Sequence, residues 1–318
     1  MVTSDPIKVV FFGTPAFAVP TLDALLASRY PVVAVVTQPD RPRGRGQKVT
    51  DAPVKARARA AGLPVLQPDR LKDAAFSSAL HALHADLGVV AAYGKILTDE
   101  VLAIPPLGMI NVHASLLPKY RGAAPVHRAI INGERESGVT IMRVVKALDA
   151  GAMISKMARL IGPEETSDEV EQDLARIGAA LLVRAIDDLV SGRAVETPQN
   201  DADATYAHRL TKEDGVVDWS ASAQRIHDTI RGLHPWPHVS AYVDGKRLIL
   251  HRSSLESGAS PHPPGAIVEA EADRLVVATG DGLLRLTELQ AEGKRPMGAR
   301  AFLSGHHLKI GDRFTSAP

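Results

Sequence analysis

The chain has 318 residues, 45% of them hydrophobic and 23% charged, which indicates a soluble globular protein of about two domains. Lysine plus arginine (37) nearly balance aspartate plus glutamate (36), so any nucleic-acid contact must come from a local patch. The absence of cysteine excludes disulfides, thiol nucleophiles and cysteine-ligated metal sites. No apolar run reaches the ~18 residues of a membrane span, and residues 1–6 lack a secretory-signal pattern. We therefore expect a cytoplasmic protein with no membrane contact.

The first part of the chain alternates apolar, β-branched runs with helical patterns. The strand patterns lie at residues 7–13, 31–38, 63–67, 86–94, 108–115 and 138–145, and the helical patterns at 21–29, 52–62, 73–84 and 124–133. This alternation predicts an α/β domain over residues 1–190 with a Rossmann-like, doubly wound, mainly parallel sheet. Thr166 and Glu169 form a capping-box pattern that predicts a helix ending near residue 190.

The chain changes character after that helix. Residues 191–208 have no apolar periodicity and are predicted to be a linker. One helical pattern follows at 222–233, and short β-like runs follow at 239–243, 247–251, 274–279 and 283–289. We expect residues 209–318 to form a small OB-like β-barrel domain. Eight of the 12 histidines lie from residue 205 onward, and only the adjacent pair His306 and His307 suggested metal-ligand spacing. We expect that pair to form a surface turn and expect no metal site.

Three polar residues suggest a reaction centre. Asn111 and His113 are two residues apart on a predicted strand, so their side chains point to the same face. The strand ends just after them, and open α/β sheets place ligands at the carboxyl ends of parallel strands. The next strand pattern is followed by Asp149, so we expect Asn111, His113 and Asp149 to converge.

These three side chains suit acyl or formyl transfer to an amine. The Asn111 amide can stabilise a developing oxyanion, and the His113 imidazole can accept a proton. The Asp149 carboxylate can orient the imidazole. No enzyme nucleophile is needed, because the amine attacks directly. The alternative from spacing alone is that His113 is a hydrogen-bonded structural residue at the end of a strand.

Longer motifs carry a resemblance to a known family. NVHASLLP (111–118), YRGAAP (120–125), GVTIM (138–142) and LDAG (148–151) resemble the folate-dependent formyltransferases. FGTP (12–15), TQPDRPRGRG (37–46) and HPWP (234–237) are similar to the branch of that family that formylates methionyl-tRNA. The resemblance implies that Asn111, His113 and Asp149 are catalytic and that a loop contacts 10-formyltetrahydrofolate. The implied loop residues are Ser115, Leu116, Leu117 and Pro118. The pterin would insert near Ile96 and Leu97, and the alternative is that these two are core residues.

A basic segment follows the second predicted strand. Seven lysines and arginines but only two acids, Asp40 and Asp51, lie between residues 40 and 59. Proline and glycine in PDRPRGRG (39–46) argue against a strand or helix, so we expect a mobile loop over 37–50 that grips phosphates. The resemblance implies that Arg41, Arg43, Arg45 and Lys48 contact the acceptor end of the tRNA. Lys55, Arg57 and Arg59 would flank them, and further candidates are Lys246, Arg247, Lys294, Arg295 and Lys309. The alternative is that these cations form an ordinary solvated surface.

The resemblance implies transfer of the formyl group of 10-formyltetrahydrofolate to the α-amino group of methionyl initiator tRNA. Nothing in the sequence demands more than a monomer, so we expect a monomer, and we expect the reaction to need no metal. Two alternatives stay open. The acceptor could be another amine, such as a nucleotide sugar or glycinamide ribonucleotide, although the basic segment and the extra domain argue against it. The chain could also be an RNA-binding module with an inactive α/β domain.

Overall fold

The computed structural model describes residues 6–40, 42–43, 48–259 and 261–317. The chain divides into two compact units. The first unit consists of Met1–Pro125, Ser137–Arg159 and Glu171–Ala207, and the second of Val126–Glu136, Leu160–Val170 and His208–Pro318.

The strands up to Ala207 are β1 (Val9–Gly13), β2 (Val32–Val36), β3 (Pro42–Arg43), β4 (Lys48–Val49), β5 (Val65–Leu66), β6 (Leu87–Ala91), β7 (Met109–His113), β8 (Arg121–Gly122), β9 (Glu136–Arg143), β10 (Met153–Leu160) and β11 (Tyr206–Ala207). The helices are α1 (Val19–Leu26), α2 (Pro53–Ala60), α3 (Ala74–Ala82), α4 (Asp99–Leu102), α5 (Pro125–Ile131) and α6 (Ser167–Val190).

A seven-stranded sheet in the order β10-β9-β7-β6-β1-β2-β5 forms the centre of the first unit. The neighbours from β7 to β5 are parallel, whereas β9 runs antiparallel to β7. The expected mainly parallel α/β sheet is therefore confirmed, with mixed strand directions on one side. All five residues of β1 are buried, which is typical of a central parallel strand covered on both faces.

The capping box that predicted the start of α6 is confirmed. The Thr166 backbone N–H donates to the Glu169 carboxylate at 2.7 Å, and the Glu169 N–H donates to the Thr166 hydroxyl at 3.5 Å. These reciprocal bonds satisfy backbone donors that a free helix end leaves unpaired. Helix α6 ends at Val190, as expected.

Two connecting segments contain short strands that the sequence did not predict. Within the basic segment, β3 and β4 pair antiparallel, with Arg43 opposite Lys48, so the expectation that residues 39–46 contain no strand is wrong. Between residues 191 and 208, Thr197 pairs with Met153, and β11 pairs with β8. The 205–207 backbone also accepts and donates hydrogen bonds along residues 118–124.

The second unit is built on an antiparallel sheet. Its strands are β12 (Val239–Val243), β13 (Lys246–Glu256), β14 (Ile267–Glu271), β15 (Arg274–Ala278), β16 (Leu283–Ala291) and β17 (Met297–Gly298), and its further helices are α7 (Ala223–Gly232) and α8 (Ala299–Gly305). Helix α7 packs against β13 and buries Ile226 and Ile230. The strand order is β12-β13-β16-β15-β14, and β17 pairs with β16.

The expected closed barrel is not observed among the described residues, because β12 and β14, at the two ends of the sheet, do not pair with each other. Residues near Asp312 and Thr315 form backbone hydrogen bonds with both of these strands, β14 and β12. The Tyr242 N–H donates to the Thr315 carbonyl at 2.9 Å, and the Ile267 N–H donates to the Asp312 carbonyl at 2.8 Å.

Within the described ranges, no helix combines the length and the apolar character that crossing a membrane requires.

Candidate active site

Strand β7 positions two of the expected catalytic residues. Asn111 and His113 alternate with the buried Val112, so their side chains lie on the same face of the strand. His113 is the last residue of β7 and is buried, whereas Asn111 is half-buried. The strand pairs with β6 on one side and β9 on the other, so its backbone is fixed.

Both ring nitrogens of His113 face oxygen atoms. Nε2 lies 3.0 Å from the Tyr120 carbonyl oxygen, and Nδ1 lies 3.7 Å from the Asp149 carboxylate. A neutral imidazole has one N–H and can donate to one of these oxygens, whereas a protonated imidazole can donate to both. The surroundings of His113 therefore offer an oxygen acceptor to each ring nitrogen.

Asp149 reaches His113 by a route different from the expected one. Because β9 is antiparallel to β7, the final residue Arg143 lies opposite Ile110, near the start of β7. The strand before Asp149 thus ends beside the start of β7, and His113 lies at the other end of β7. Residues 144–148 lead the chain back from Arg143 to the His113 end. Asp149 itself has a left-handed backbone conformation, with φ of 47°. His113 and Asp149 converge as expected, through a return loop rather than through two neighbouring parallel strand ends.

Backbone and side-chain donors hold Asp149 in place. The Gly122 N–H donates to Asp149 Oδ2 at 2.8 Å. The Gln199 amide donates to the backbone carbonyls of Asp149 at 2.7 Å and of Gly151 at 2.8 Å. A Cβ at Gly151 would lie 1.9 Å from the Arg143 carbonyl oxygen, so only glycine permits this approach. The loop is therefore fixed on both sides of the carboxylate.

A second layer of contacts holds Gln199. The Arg121 guanidinium, which is only 3% exposed, donates to Gln199 Oε1 at 3.0 Å and to Asp201 at 2.8 Å. Gly122 has φ of 120°, and a Cβ there would lie 2.7 Å from the Ala207 carbonyl oxygen. Neither Arg121 nor Gln199 was predicted as a site residue, because Gln199 lies in a polar stretch without periodicity, 50 residues from Asp149.

The predicted folate loop is a rigid turn. The Ser115 hydroxyl donates to the Lys119 carbonyl at 2.6 Å, and the Thr140 hydroxyl donates to the Ser115 carbonyl at 2.7 Å. The Leu117 N–H donates to the Thr140 hydroxyl at 3.1 Å, and the Leu117 side chain is buried. Leu116 is half-buried, and the Leu117–Pro118 peptide is cis.

Ile96 and Leu97 differ in environment. Leu97 is 7% exposed and belongs to a core cluster with Phe12 and Val101, which favours the core interpretation for its side chain. Ile96 is 75% exposed and is therefore available to a ligand. Tyr93, at the start of this segment, has a buried hydroxyl, and burial raises the pKa of Tyr93 to about 12.

The structure describes little of the four residues predicted to bind tRNA. Arg41 and Arg45 lie outside the described residues, and Arg43 and Lys48 are placed only by the backbone of β3 and β4. The predicted contacts of the second unit are exposed; these are Lys246, Arg247, Lys294, Arg295 and Lys309.

Ion pairs occupy the cations of α2. Lys55 is buried and contacts Asp40 and Asp51, and Arg59 lies 2.7 Å from Asp51. The hydrogen bond that Lys55 donates to Asp40 raises the pKa of Lys55 and lowers the pKa of Asp40. Arg57 pairs with Asp23. These cations have local partners, so they flank the basic segment rather than extend it.

Comparison with known proteins decides the family. Residues 7–186 match the model of the formyl transferase family, and residues 209–307 match its C-terminal domain. The chain belongs to the formyl transferase family. It is 46% identical over 305 residues to proteins named methionyl-tRNA formyltransferase from Caldanaerobacter subterraneus subsp. tengcongensis and from Moorella thermoacetica. Each match covers 96% of this chain and 98% of the relative.

A solved structure shows the same fold in another formyl transferase. The N-formyltransferase from Helicobacter canadensis, in complex with folinic acid and dTDP-3-aminofucose, superposes with a TM-score of 0.68. The match covers 90% of this chain and 100% of that one at 18% identity. At this identity, the likeness concerns the fold.

Proposed function

We propose that this formyl transferase moves the formyl group of 10-formyltetrahydrofolate to the α-amino group of methionyl initiator tRNA. The observation that carries the proposal is the buried His113, which faces the Asp149 carboxylate on the strand that also bears Asn111. The near-full-length relatives named methionyl-tRNA formyltransferase support the choice of acceptor.

The reaction needs charge stabilisation and proton transfer. The amine nitrogen attacks the formyl carbon, and the carbonyl electron pair moves to oxygen, where the Asn111 amide donates a hydrogen bond. His113 accepts the proton that the attacking nitrogen loses. The bond between the formyl carbon and N10 of the folate then breaks, the electron pair stays on N10, and the proton returns to N10. Asp149 stabilises the protonated imidazole between these steps.

The proposal assigns the two substrates to different residues. The folate is held by the turn that contains Ser115, Leu116, Leu117 and Pro118. The exposed Ile96 contacts the pterin, whereas the side chain of Leu97 is anchored in the core. Phosphates at the acceptor end of the tRNA are bound by four basic side chains, as is usual in nucleic-acid complexes; these are Arg41, Arg43, Arg45 and Lys48.

We propose residues 1–190 as the catalytic domain, 191–208 as the connecting segment and 209–318 as a tRNA-binding domain. The family models, which span 7–186 and 209–307, support this division. We also propose an OB-like architecture for the last domain, supported by the residues near Asp312 and Thr315 that bond to β14 and β12. The protein would act in the cytoplasm as a monomer, and light scattering of the purified chain tests the monomer.

A formylation assay tests the function. Purified protein is mixed with 10-formyltetrahydrofolate and methionyl initiator tRNA, with uncharged tRNA and free methionine as controls. We expect formylmethionyl-tRNA only with the charged tRNA. Replacing His113 with alanine should lower kcat by about 10²- to 10⁴-fold while tRNA affinity changes little. Replacing the exposed His81 of α3 with alanine is the matched control and should leave kcat unchanged.

The competing acceptors are tested in the same assay. An amino sugar nucleotide and glycinamide ribonucleotide replace the tRNA, and faster formylation of either would overturn the assignment. Measuring the affinity for the acceptor at several salt concentrations also separates tRNA from a small amine. Several phosphate contacts make the affinity for tRNA fall steeply as the salt concentration rises. A protein that binds folate but formylates none of these amines would instead be an RNA-binding module.

A further inference from the structure

Three histidines of the second unit come together outside the residues proposed for catalysis. His234 and His238 lie on the turn after α7, and His251 lies on β13. Each offers one ring nitrogen, and these nitrogens all lie within 4.8 Å of one another. The ring centroids of His238 and His251 are 4.5 Å apart, and those of His234 and His238 are 5.2 Å apart.

Hydrogen bonding in this cluster is incomplete within the described residues. Nδ1 of His234 and Nδ1 of His238 are buried and have no hydrogen-bond partner in the described part of the chain. Burying a polar nitrogen without a partner is unfavourable, so two such atoms in one cluster call for a ligand. Both atoms belong to residues held by the same five-residue turn.

His251 has the tautomer that metal ligation requires. Its Nε2 lies 2.9 Å from Gln290 Oε1, and the Gln290 amide nitrogen donates to the Lys294 carbonyl at 2.7 Å. This second bond fixes the orientation of the Gln290 amide, so His251 Nε2 must donate its proton to the amide oxygen. The lone pair of neutral His251 is therefore on Nδ1. Metal-binding histidines typically donate their other ring N–H to an oxygen in this way.

We propose that His234, His238 and His251 bind one divalent transition-metal ion, and that the ion pins the turn onto β13. Zn²⁺ is the best candidate, because three neutral imidazoles with one position left for water is an established zinc coordination set. Zinc–nitrogen bonds of about 2.0–2.1 Å place tetrahedral ligands about 3.3 Å apart, so small ring rotations complete the site.

The sequence contains a signal for this site. His234 and His238 are separated by three residues, which is within the His-x₃₋₅-His spacing of known zinc sites. The expectation that only His306 and His307 have such spacing misses this pair, because His251 is 13 positions beyond His238 and only the fold brings it to the turn. The proposed ion lies outside the residues proposed for catalysis, so formyl transfer is still expected to need no metal.

Metal titration of the full chain tests the proposal. The protein carries no polyhistidine tag and is first dialysed against a chelator. Zn²⁺ is added in a calorimeter, and Co²⁺ is added while its visible absorption is recorded. We expect one ion per chain and the intense d–d bands of tetrahedral Co²⁺. Replacing His238 or His251 with alanine should weaken binding at least 100-fold, whereas replacing the exposed His307 with alanine should change nothing.

Gln290→Ala provides a variant that leaves all three ligands in place. It should weaken Zn²⁺ binding about 10- to 100-fold, which is the usual effect of removing the oxygen that accepts the other ring N–H of a metal-binding histidine. Circular dichroism checks that each variant is folded. If His251→Ala does not fold, the wild-type and Gln290→Ala titrations still test the proposal. Absence of saturable one-to-one binding by the wild type overturns the proposal, as does binding that survives His238→Ala unchanged. None of these readouts uses formyl transfer, so the proposal stands or falls independently of the proposed function.

Discussion

His113 of the first unit and the histidine cluster of the second unit (His234, His238 and His251) differ in their neighbours. Each ring nitrogen of His113 faces an oxygen, one from a carbonyl and one from a carboxylate. In the cluster, two buried nitrogens have no hydrogen-bond partner in the described ranges, and the rings of His238 and His251 are 4.5 Å apart. Oxygen acceptors suit a ring that takes up a proton, whereas clustered ring nitrogens without partners suit metal binding. His113 and His251 are both buried, so their partners, and not their burial, distinguish the two proposed tasks.

Removing the negative charge beside His113 should give the largest effect. Asp149→Asn keeps the shape of the side chain but removes the carboxylate that is proposed to stabilise a protonated imidazole. We expect kcat for formyl transfer to fall by about 10²- to 10⁴-fold, with tRNA affinity little changed. Steady-state kinetics and a filter-binding assay measure the two quantities.

Asp99→Asn is the matched control for that experiment. Asp99 is exposed and pairs with Lys146 at 3.1 Å, so its loss should leave kcat within about twofold. An Asp149→Asn enzyme that retains wild-type turnover would show that His113 works without its carboxylate.

Loosening the loop that carries Asp149 should have a smaller effect. Gln199→Ala removes both donors to the Asp149 and Gly151 carbonyls. We expect kcat to fall about 10-fold while the KM for folate changes little, because misplacement of a catalytic group costs rate more than binding. Gln199→Glu keeps the length and the acceptor for Arg121 but loses the donors, so it should not restore activity.

A double-mutant cycle separates a positioning role from a general structural one. If Gln199 acts through Asp149, adding Gln199→Ala to Asp149→Asn should lower kcat little further. Fully multiplicative losses would show that Gln199 affects the enzyme by another route.

Sequence reasoning succeeded where local pattern and burial agree. The runs at β1 and β6 were predictable because central parallel strands are apolar on both faces. Strand β10 was not predicted, because it is an edge strand with half-exposed and exposed residues and so has no buried stripe. In the second unit, β14 was also missed, and the pairing of the chain end with both outer strands depends on contacts between distant residues.

In the candidate site too, sequence reasoning finds residues that share a local pattern and misses those joined by long-range contacts. Asn111 and His113 lie on one strand, so their spacing predicts a shared face. Arg121 and Gln199 contact each other across 78 residues, and no periodicity reports such a contact. Asp149 was predicted near His113, but by a strand direction that the antiparallel β9 shows to be wrong. Local spacing predicted which side chains could act, whereas long-range contacts determine what holds them.

The smallest predicted effect concerns His127, a histidine with a third kind of environment. It lies on α5 in the second unit, and burial, aided by Arg128 and opposed by Asp168, lowers the pKa of His127 to about 4. The folded unit thus keeps His127 neutral, whereas the unfolded chain binds a proton below pH ~6.5. The free energy of unfolding should therefore fall as the pH drops from 6.5 to 4, by at most about 3 kcal/mol from this residue.

Substitution of His127 by glutamine, which does not titrate, should remove that part of the pH dependence. Both tryptophans, Trp219 and Trp236, belong to the second unit, so tryptophan fluorescence during urea unfolding follows the unit that contains His127. The wild type should lose more stability than His127→Gln between pH 7.5 and pH 4.5, and His81→Gln, at an exposed position in the first unit, should follow the wild type. Equal losses in wild type and His127→Gln would mean that α5 opens to water before the unit unfolds. His127 would then be a solvated histidine, and the contrast between histidine environments would rest on His113 and the cluster alone.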